Sequence, residues 1–309
     1  MMVDDSWKLA DRADALRLRA RMIRAIRGFF LENDFLEIET PQRIPAPAPE
    51  FHIDAVASED WFLQTSPELC MKRLLAAGYP RIFQICRCFR AGERGDRHLP
   101  EFTMLEWYRE GVDYRTLMED CEALITLVAR ELGIGGAVCW QGREIRLGIP
   151  WERMTVREAF SRYATMTSAE ALRTERFDEI LACEVEPHLG KEHPVFLYEY
   201  PAELGALARL KEGEAGIAER FELYCAGLEL ANAFSELTDA GEQRRRFEEV
   251  FSDRRLKGGS PHPMPERFLA ALEKMPPSAG IALGVDRLAM LFADKSRIDD
   301  VVAFTPELL

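Results

Sequence analysis

The chain has 309 residues, 47% of them apolar, and a formal net charge of −13. Such a length can bury a sizeable core in one large domain, and the acidic balance excludes a broad basic face for nucleic acid, leaving room only for a local cationic patch. Seven scattered cysteines without a C-x-x-C pair indicate neither a disulfide framework nor a zinc site, and an acidic start with no apolar run of ~18 residues predicts a cytoplasmic protein without signal peptide or membrane span.

In chain order, Asp11 to about Leu31 places Leu16, Ala20, Ile23, Ile26 and Phe30 at helical spacing among arginines. That pattern predicts an amphipathic helix whose arginines form a solvated face. Asn33-Asp34 ends it, and Phe35 to Thr40 alternates apolar and acidic residues before Pro41, as an edge or interface strand does. Pro45, Pro47 and Pro49 force an extended connector. Trp61 to Thr65 is a short strand, after which Ser66-Pro67-Glu68 opens a helix with serine at the cap and proline in the first turn. Such a start is locally positive and can receive a carboxylate or phosphate, although plain capping is the simpler account.

Arg81 to Arg90 and Phe102 to Tyr108 read as two strands around a charged loop, with Gly92, Gly95 and Pro100 marking the turn. Period 2 gives Gln84, Cys86, Cys88 and Arg90 one face, and Phe102, Met104, Glu106 and Tyr108 one face. If the faces coincide they form a floor beneath a mobile loop carrying Glu93, Arg94, Arg97 and His98. Arginine forks suit phosphate oxygens and an aromatic face can stack a base, which outlines a nucleotide site; a surface hairpin with a solvated tip is the alternative. Cys86 and Cys88, on one strand face, act as small apolar residues.

Tyr114 to Leu132 predicts another amphipathic helix, and residues 133 to about 220 mix short strands (Glu144 to Leu147, Val195 to Tyr200) with capped helices such as the one after Thr155. Phe221 to Leu237 is ambiguous. Glu222, Glu229 and Glu236 recur every seven residues, as on a helix face, yet Gly227 and the apolar alternation favour strands. In a strand, the odd separation of Glu229 and Glu236 demands a bulge if both carboxylates are to reach one site. Such a pair suits a Mg²⁺ that bridges nucleotide phosphates. Gly280 to Phe292 is a glycine-punctuated strand entering an apolar helix, with Arg287 near the junction and the spacing of neither a P-loop nor a dinucleotide fingerprint.

In this order, FLEIETP, FRAGERGDRHLPEF and GIALGVDRL resemble motifs 1, 2 and 3 of class II aminoacyl-tRNA synthetases, at about 35–44, 81–108 and 280–292. TSPEL, MKRLL, PEFTMLEWY, ELANAFSEL and ALGVDR are similar to the lysyl branch, and most of all to its short paralogue that ligates (R)-β-lysine to elongation factor P. The resemblance covers nearly the whole chain. It implies an α+β fold with a six- or seven-stranded antiparallel sheet flanked by helices, as a single catalytic domain over 1–309 that lacks the N-terminal OB-fold anticodon domain. It also implies a homodimer formed around Pro41.

The implied activity is ATP- and Mg²⁺-dependent activation of (R)-β-lysine as an adenylate and its transfer to a lysine of elongation factor P. By resemblance, Arg90 would hold the α-phosphate and Arg287 the γ-phosphate as the catalytic pair. Glu93 would hold the adenine amino group, Phe102 would stack the base, and His98, Leu99, Leu230 and Gly284 would complete the nucleotide site. Glu229 and Glu236 would hold Mg²⁺. The amino-acid pocket would comprise Ser66, Pro67, Glu68, Glu106, Tyr108, Asn232, Glu236 and Ala282, the last replacing the glycine of lysyl-tRNA synthetases. Two departures stand out: Arg90-Ala91-Gly92-Glu93 replaces Arg-x-Glu before a shortened loop, and Leu99 stands where the family has asparagine. The rival readings are a truncated lysyl-tRNA synthetase and a non-catalytic paralogue that binds amino acid or nucleotide.

Overall fold

The computed structural model describes residues 9–257 and 262–309. Its principal elements in order are α1 (Ala13–Glu32), β1 (Leu36–Glu37), β2 (Arg43–Ile44), β3 (Ala57–Ser58), β4 (Trp61–Leu63), α2 (Glu68–Ala76), β5 (Arg81–Phe89), β6 (Glu101–Glu110) and α3 (Tyr114–Leu132). Then follow β7 (Ala137–Trp140), β8 (Arg143–Arg146), β9 (Glu152–Thr155), α4 (Val156–Tyr163), α5 (Ser168–Arg173), α6 (Phe177–Ile180), β10 (Val195–Pro201) and β11 (Leu210–Lys211). The chain closes with β12 (Glu214–Cys225), β13 (Leu228–Ser235), α7 (Ala240–Leu256), α8 (Glu266–Leu272), β14 (Ser278–Gly284) and α9 (Val285–Phe292).

One nine-stranded sheet dominates, in the order β1-β5-β6-β14-β13-β12-β10-β9, with β11 added to β12. From β5 to β10 each long strand runs antiparallel to the next. The terminal strands β1 and β9 pair parallel. The antiparallel heart therefore matches the implied fold, while the total exceeds six or seven because β1, β9 and β11 are too short to show period 2 in the sequence. The predicted strand over Phe35 to Thr40 shrinks to Leu36–Glu37 at the sheet edge.

The Phe221 to Leu237 ambiguity resolves as strands. β12 and β13 form a hairpin turned at Ala226 and Gly227, both with positive φ (57° and 69°). The heptad of glutamates is a coincidence of two strands, and the required bulge is present: Leu223 pairs with Ala231 but Tyr224 with Glu229, so Leu230 is the extra residue. Leu230 and Ala231 are consequently both buried, and Glu229 faces the same side as Asn232 and Phe234.

Helices α1, α3 and α9 cover one face of the sheet over the main core, where Phe30 stacks on Phe83 with ring centroids 4.6 Å apart. The buried stripe of α1 is Ala15, Met22, Ile26, Phe29 and Phe30, rotated from the predicted one. Arg19 lies within this stripe and does not belong to a solvated face. The Arg19 guanidinium donates to the buried Asp286 at the start of α9 (2.8 Å) and to Thr103 Oγ1 of β6 (2.7 Å), while the Thr103 amide donates to the other Asp286 oxygen (2.7 Å). One carboxylate thus ties α1, β6 and α9. Removing one partner of such a buried pair costs about 3–5 kcal/mol. Asp286→Asn is expected to lower unfolding stability by that order in urea titrations, and a loss below about 1 kcal/mol would show that the three elements hold without it.

Candidate active site

Strand register builds the floor of the site. Gln84 lies opposite Glu106, Glu106 opposite Ala282, Ala282 opposite Asn232, and Asn232 opposite Glu222. The next row runs Ile82, Tyr108, Gly280, Phe234 and Arg220. The predicted coincidence of the β5 and β6 faces is therefore observed. Above this floor opens a cavity of about 770 Å³. Every residue assigned to the site from sequence lines it except Pro67 and Glu236.

Arg90, just beyond β5, lies with its guanidinium carbon 5.0 Å from the Phe102 ring centroid and one nitrogen 3.7 Å from Glu93. Its Nε is buried without a hydrogen-bond partner, a donor left for an incoming acceptor. Arg287, in the first turn of α9, donates to the Glu229 carbonyl (2.8 Å), to the Glu229 carboxylate (3.2 Å) and to His98 Nε2 (2.6 Å). Burial and the positive charges of Arg287, Arg90 and Arg97 push His98 down to about 4. A neutral ring with Nε2 unprotonated is what accepts from arginine. Leu99 borders the cavity, but its side chain is buried in the main core.

The loop between β5 and β6, expected to be mobile, is pinned. Gly95 and His98 exchange backbone hydrogen bonds, Arg97 donates to the Gly227 carbonyl (3.0 Å), and Arg94 bonds Asp299 (2.9 Å) and Glu307 (2.8 Å) near the C-terminus. The loop's brevity leaves each of these charges within reach of a fixed partner.

At the other end of the cavity Glu106 accepts from Ser66 Oγ (2.6 Å) and from the Tyr108 hydroxyl (2.8 Å). Ser66 Oγ also accepts from the Glu68 amide (3.0 Å), so the helix-start serine serves the helix and the pocket together. Burial, and then the Glu68 charge, raises Glu106 well above the carboxylate range. Lys72, one turn along α2, is buried and bridges Glu68 (2.6 Å) and Glu236. Burial works against the Lys72 charge, but the two carboxylates outweigh it and raise its pKa. Two carboxylates share one lysine, and Glu236 Oε1 is buried without a hydrogen bond. This cluster has a deficit of positive charge that a substrate ammonium would fill.

The expected metal pair is not brought together. Glu236 is engaged by Lys72, whereas Glu229 lies at the cavity wall, where burial and the charge of Glu222 raise its pKa. The reason is the direction in which β13 runs: Glu229 lies near its start and Glu236 just past its end. Glu222, on β12, accepts from Arg220 (2.5 Å), Tyr200 (2.5 Å) and Tyr224 (2.7 Å). Among the described residues, no cluster of three or more histidine, cysteine or acidic side chains is arranged to hold a metal. Sequence reasoning assigned no role to Lys72, Arg220 or Glu222. The i to i+4 spacing of Glu68 and Lys72 and the third member of the heptad of glutamates were the available signals.

The chain matches the family model of class II tRNA synthetases (D, K and N) over residues 7–307, and it belongs to that family. Among curated proteins it is similar to the elongation factor P–(R)-β-lysine ligase of Edwardsiella ictaluri, 39% identical over an alignment covering 97% of each chain. Proteins of the same name from Pseudoalteromonas translucida and Pectobacterium carotovorum are 37% identical (96% of this chain and 97% of the relative) and 39% identical (98% of both). Among the described residues no helix is long and apolar enough to cross a membrane.

Gly280 tests the amino-acid end. A Cβ there would overlap the Tyr108 ring and Glu236 Oε1, whereas one at Gly284 would meet only Arg287 side-chain carbons at 3.7–3.8 Å. Gly280→Ala is expected to destabilise the fold by about 1–3 kcal/mol in urea titrations. Gly284→Ala should cost far less, and equal costs would refute the close packing behind Gly280.

Proposed function

We propose that this chain activates (R)-β-lysine with ATP as an aminoacyl-adenylate and transfers it to a lysine side chain of elongation factor P. The observation that carries this reading is similarity along essentially the whole chain to proteins named for that ligation, 39% identical over 97% of both chains in one case. The geometry supports it. A cation-deficient pocket and an arginine-bearing end share one cavity, as joining a diamine acid to a nucleotide requires. Ala282, in register between Glu106 and Asn232, adds a methyl at the centre of the floor, where it shapes the pocket for a substrate other than α-lysine.

In the first half-reaction the amino-acid carboxylate attacks the α-phosphorus of ATP and pyrophosphate leaves. The carboxylate is already nucleophilic, so the chain's work is in-line positioning and charge neutralisation. Arg90, with its unpartnered Nε, takes the α-phosphate. Arg287 takes the γ-phosphate, and Phe102 offers its ring to the base once Arg90 moves to the phosphate. Glu106, Glu68 and Glu236 receive the substrate ammonium groups, helped by Ser66, Tyr108 and Asn232. The donor chemistry around Glu229 fits Mg²⁺, with Glu222 in place of Glu236 as its companion. Mg²⁺, when bound there, supplies further charge neutralisation to the phosphates. The family match over residues 7–307 agrees with a single catalytic domain. The homodimer is proposed at the β1 edge, where Leu31 and Leu36 are 58% and 50% exposed.

Intact-mass analysis of elongation factor P after incubation with this protein, ATP, Mg²⁺ and (R)-β-lysine, with lysine tRNA competing, should show one lysine-sized addition to the factor and none to the tRNA. Arg90→Ala and Arg287→Ala should fold normally while losing about 10²–10³-fold in ATP–pyrophosphate exchange. Charging of tRNA alone, or exchange at the wild-type rate in both variants, would overturn the reading. Sedimentation should give twice the mass of one chain, with Leu36→Glu giving the monomer; a monomeric parent protein would rule the dimer out.

A further inference from the structure

The second half-reaction has a requirement that the residues named so far do not meet. The acceptor amine carries a proton at neutral pH, with an ordinary pKa of ~10.4, and must lose it to become a nucleophile. A group that receives it must lie in the cavity, beside the phosphate end, and free of a partner.

Glu50 satisfies these conditions. Residues 49–53, following the proline-rich connector, form one wall of the cavity together with Arg90 and Glu93. Their backbone is clamped: buried Arg254 of α7 donates to the carbonyls of Glu50 (3.0 Å) and Ile53 (2.9 Å) and pairs with Asp54, and the Ala91 amide donates to the Asp54 carbonyl (2.7 Å). The wall is therefore tied directly to the residue after Arg90. The Glu50 carboxylate itself makes no hydrogen bond or ion pair among the described residues. Phe51, next along the wall, is exposed, and Glu50 lines the same cavity as Arg90.

We propose that Glu50 is the general base of the transfer step, accepting the proton of the protein acceptor's lysine ammonium. This rests on the adenylate reading above. Glu50 takes one proton from the ammonium, and the freed nitrogen lone pair attacks the adenylate carbonyl carbon. The tetrahedral intermediate collapses with cleavage of the carbonyl C–O bond, and AMP departs with that electron pair. The nitrogen gives up its second proton to solvent, leaving a neutral amide.

The surroundings set the working pH. Burial raises Glu50 to about 7; Arg90 from the end of β5 and Arg220 from β12 oppose the rise, and Glu68 from α2 and Glu93 from the loop reinforce it. Arg254 of α7 holds its backbone. A carboxylate raised in this way is protonated and idle below about 7 and competent above it, so transfer should increase with pH through about 7 and then level off.

The test measures two rates in one preparation: ATP–pyrophosphate exchange with (R)-β-lysine, and transfer from preformed adenylate to elongation factor P between pH 6 and 9. Glu50→Gln should keep exchange within about threefold, lose about 10²-fold or more in transfer at pH 7, and replace the levelling near pH 7 by a continued rise with the amine's own ionisation. Glu50→Asp, which retains a carboxylate, should recover part of the transfer. Wild-type transfer in Glu50→Gln would overturn the proposal. So would a raised KM for (R)-β-lysine in exchange, which would make Glu50 a substrate-binding residue. Failure of the parent protein to catalyse exchange would instead refute adenylate formation itself.

Discussion

The site depends on one constraint, the in-register pairing of β5, β6, β14, β13 and β12. Because side chains alternate at every residue, this pairing sends Glu106, Ala282 and Asn232 to the same side as Glu222 and Gln84. A slip of one residue in any strand would exchange that strand's polar contribution for core residues such as Leu105 or Leu283. Asp286 guards against slippage at the β6 end, since Thr103 is bonded to it through the backbone. At the β13 end the guard is the bulge at Leu230, which lets Glu229 and Asn232 face one way. Chemistry and folding thus share their determinants.

Much of this arrangement was legible. Period 2 in the β5–β6 hairpin gave the floor because each strand is long and half-buried, and a bulge does lie between Glu229 and Glu236 although it does not join them in one site. The limits of cavity assignment were long-range contacts. Arg19 resembled every other arginine on α1, and only its partner 267 residues away distinguishes it. Lys72 had a local signal in its spacing from Glu68, but its burial against Glu236 depends on α2 packing against β6 and α8. Glu236 was paired with Glu229 on spacing and resemblance, whereas Glu229 lines the cavity and Glu236 sits behind its lining on Lys72. Glu50 follows three alternating prolines, a pattern that gives an extended path without showing what it passes.

The two ends of the cavity treat charge in opposite ways. At the end holding Arg90 and Arg287 each arginine stands beside a carboxylate, yet Arg90 Nε keeps no hydrogen-bond partner and neutral His98 accepts from Arg287. At the other end carboxylates outnumber cations, with Lys72 alone between Glu68 and Glu236. An ammonium beside Glu236 and an acceptor at Arg90 Nε would satisfy the unpartnered groups of both ends together. That complementarity orients a substrate bearing both without any single dominant contact.

The loop between β5 and β6 is held by the last few residues of the chain. Arg94 hydrogen-bonds Glu307 strongly enough to hold that exposed carboxyl at about 2, and it reaches Asp299 as well. Asp299 and Glu307 therefore brace the loop that carries His98. Substitutions at Asp299 or Glu307, both outside the cavity lining, would be felt in this loop through Arg94.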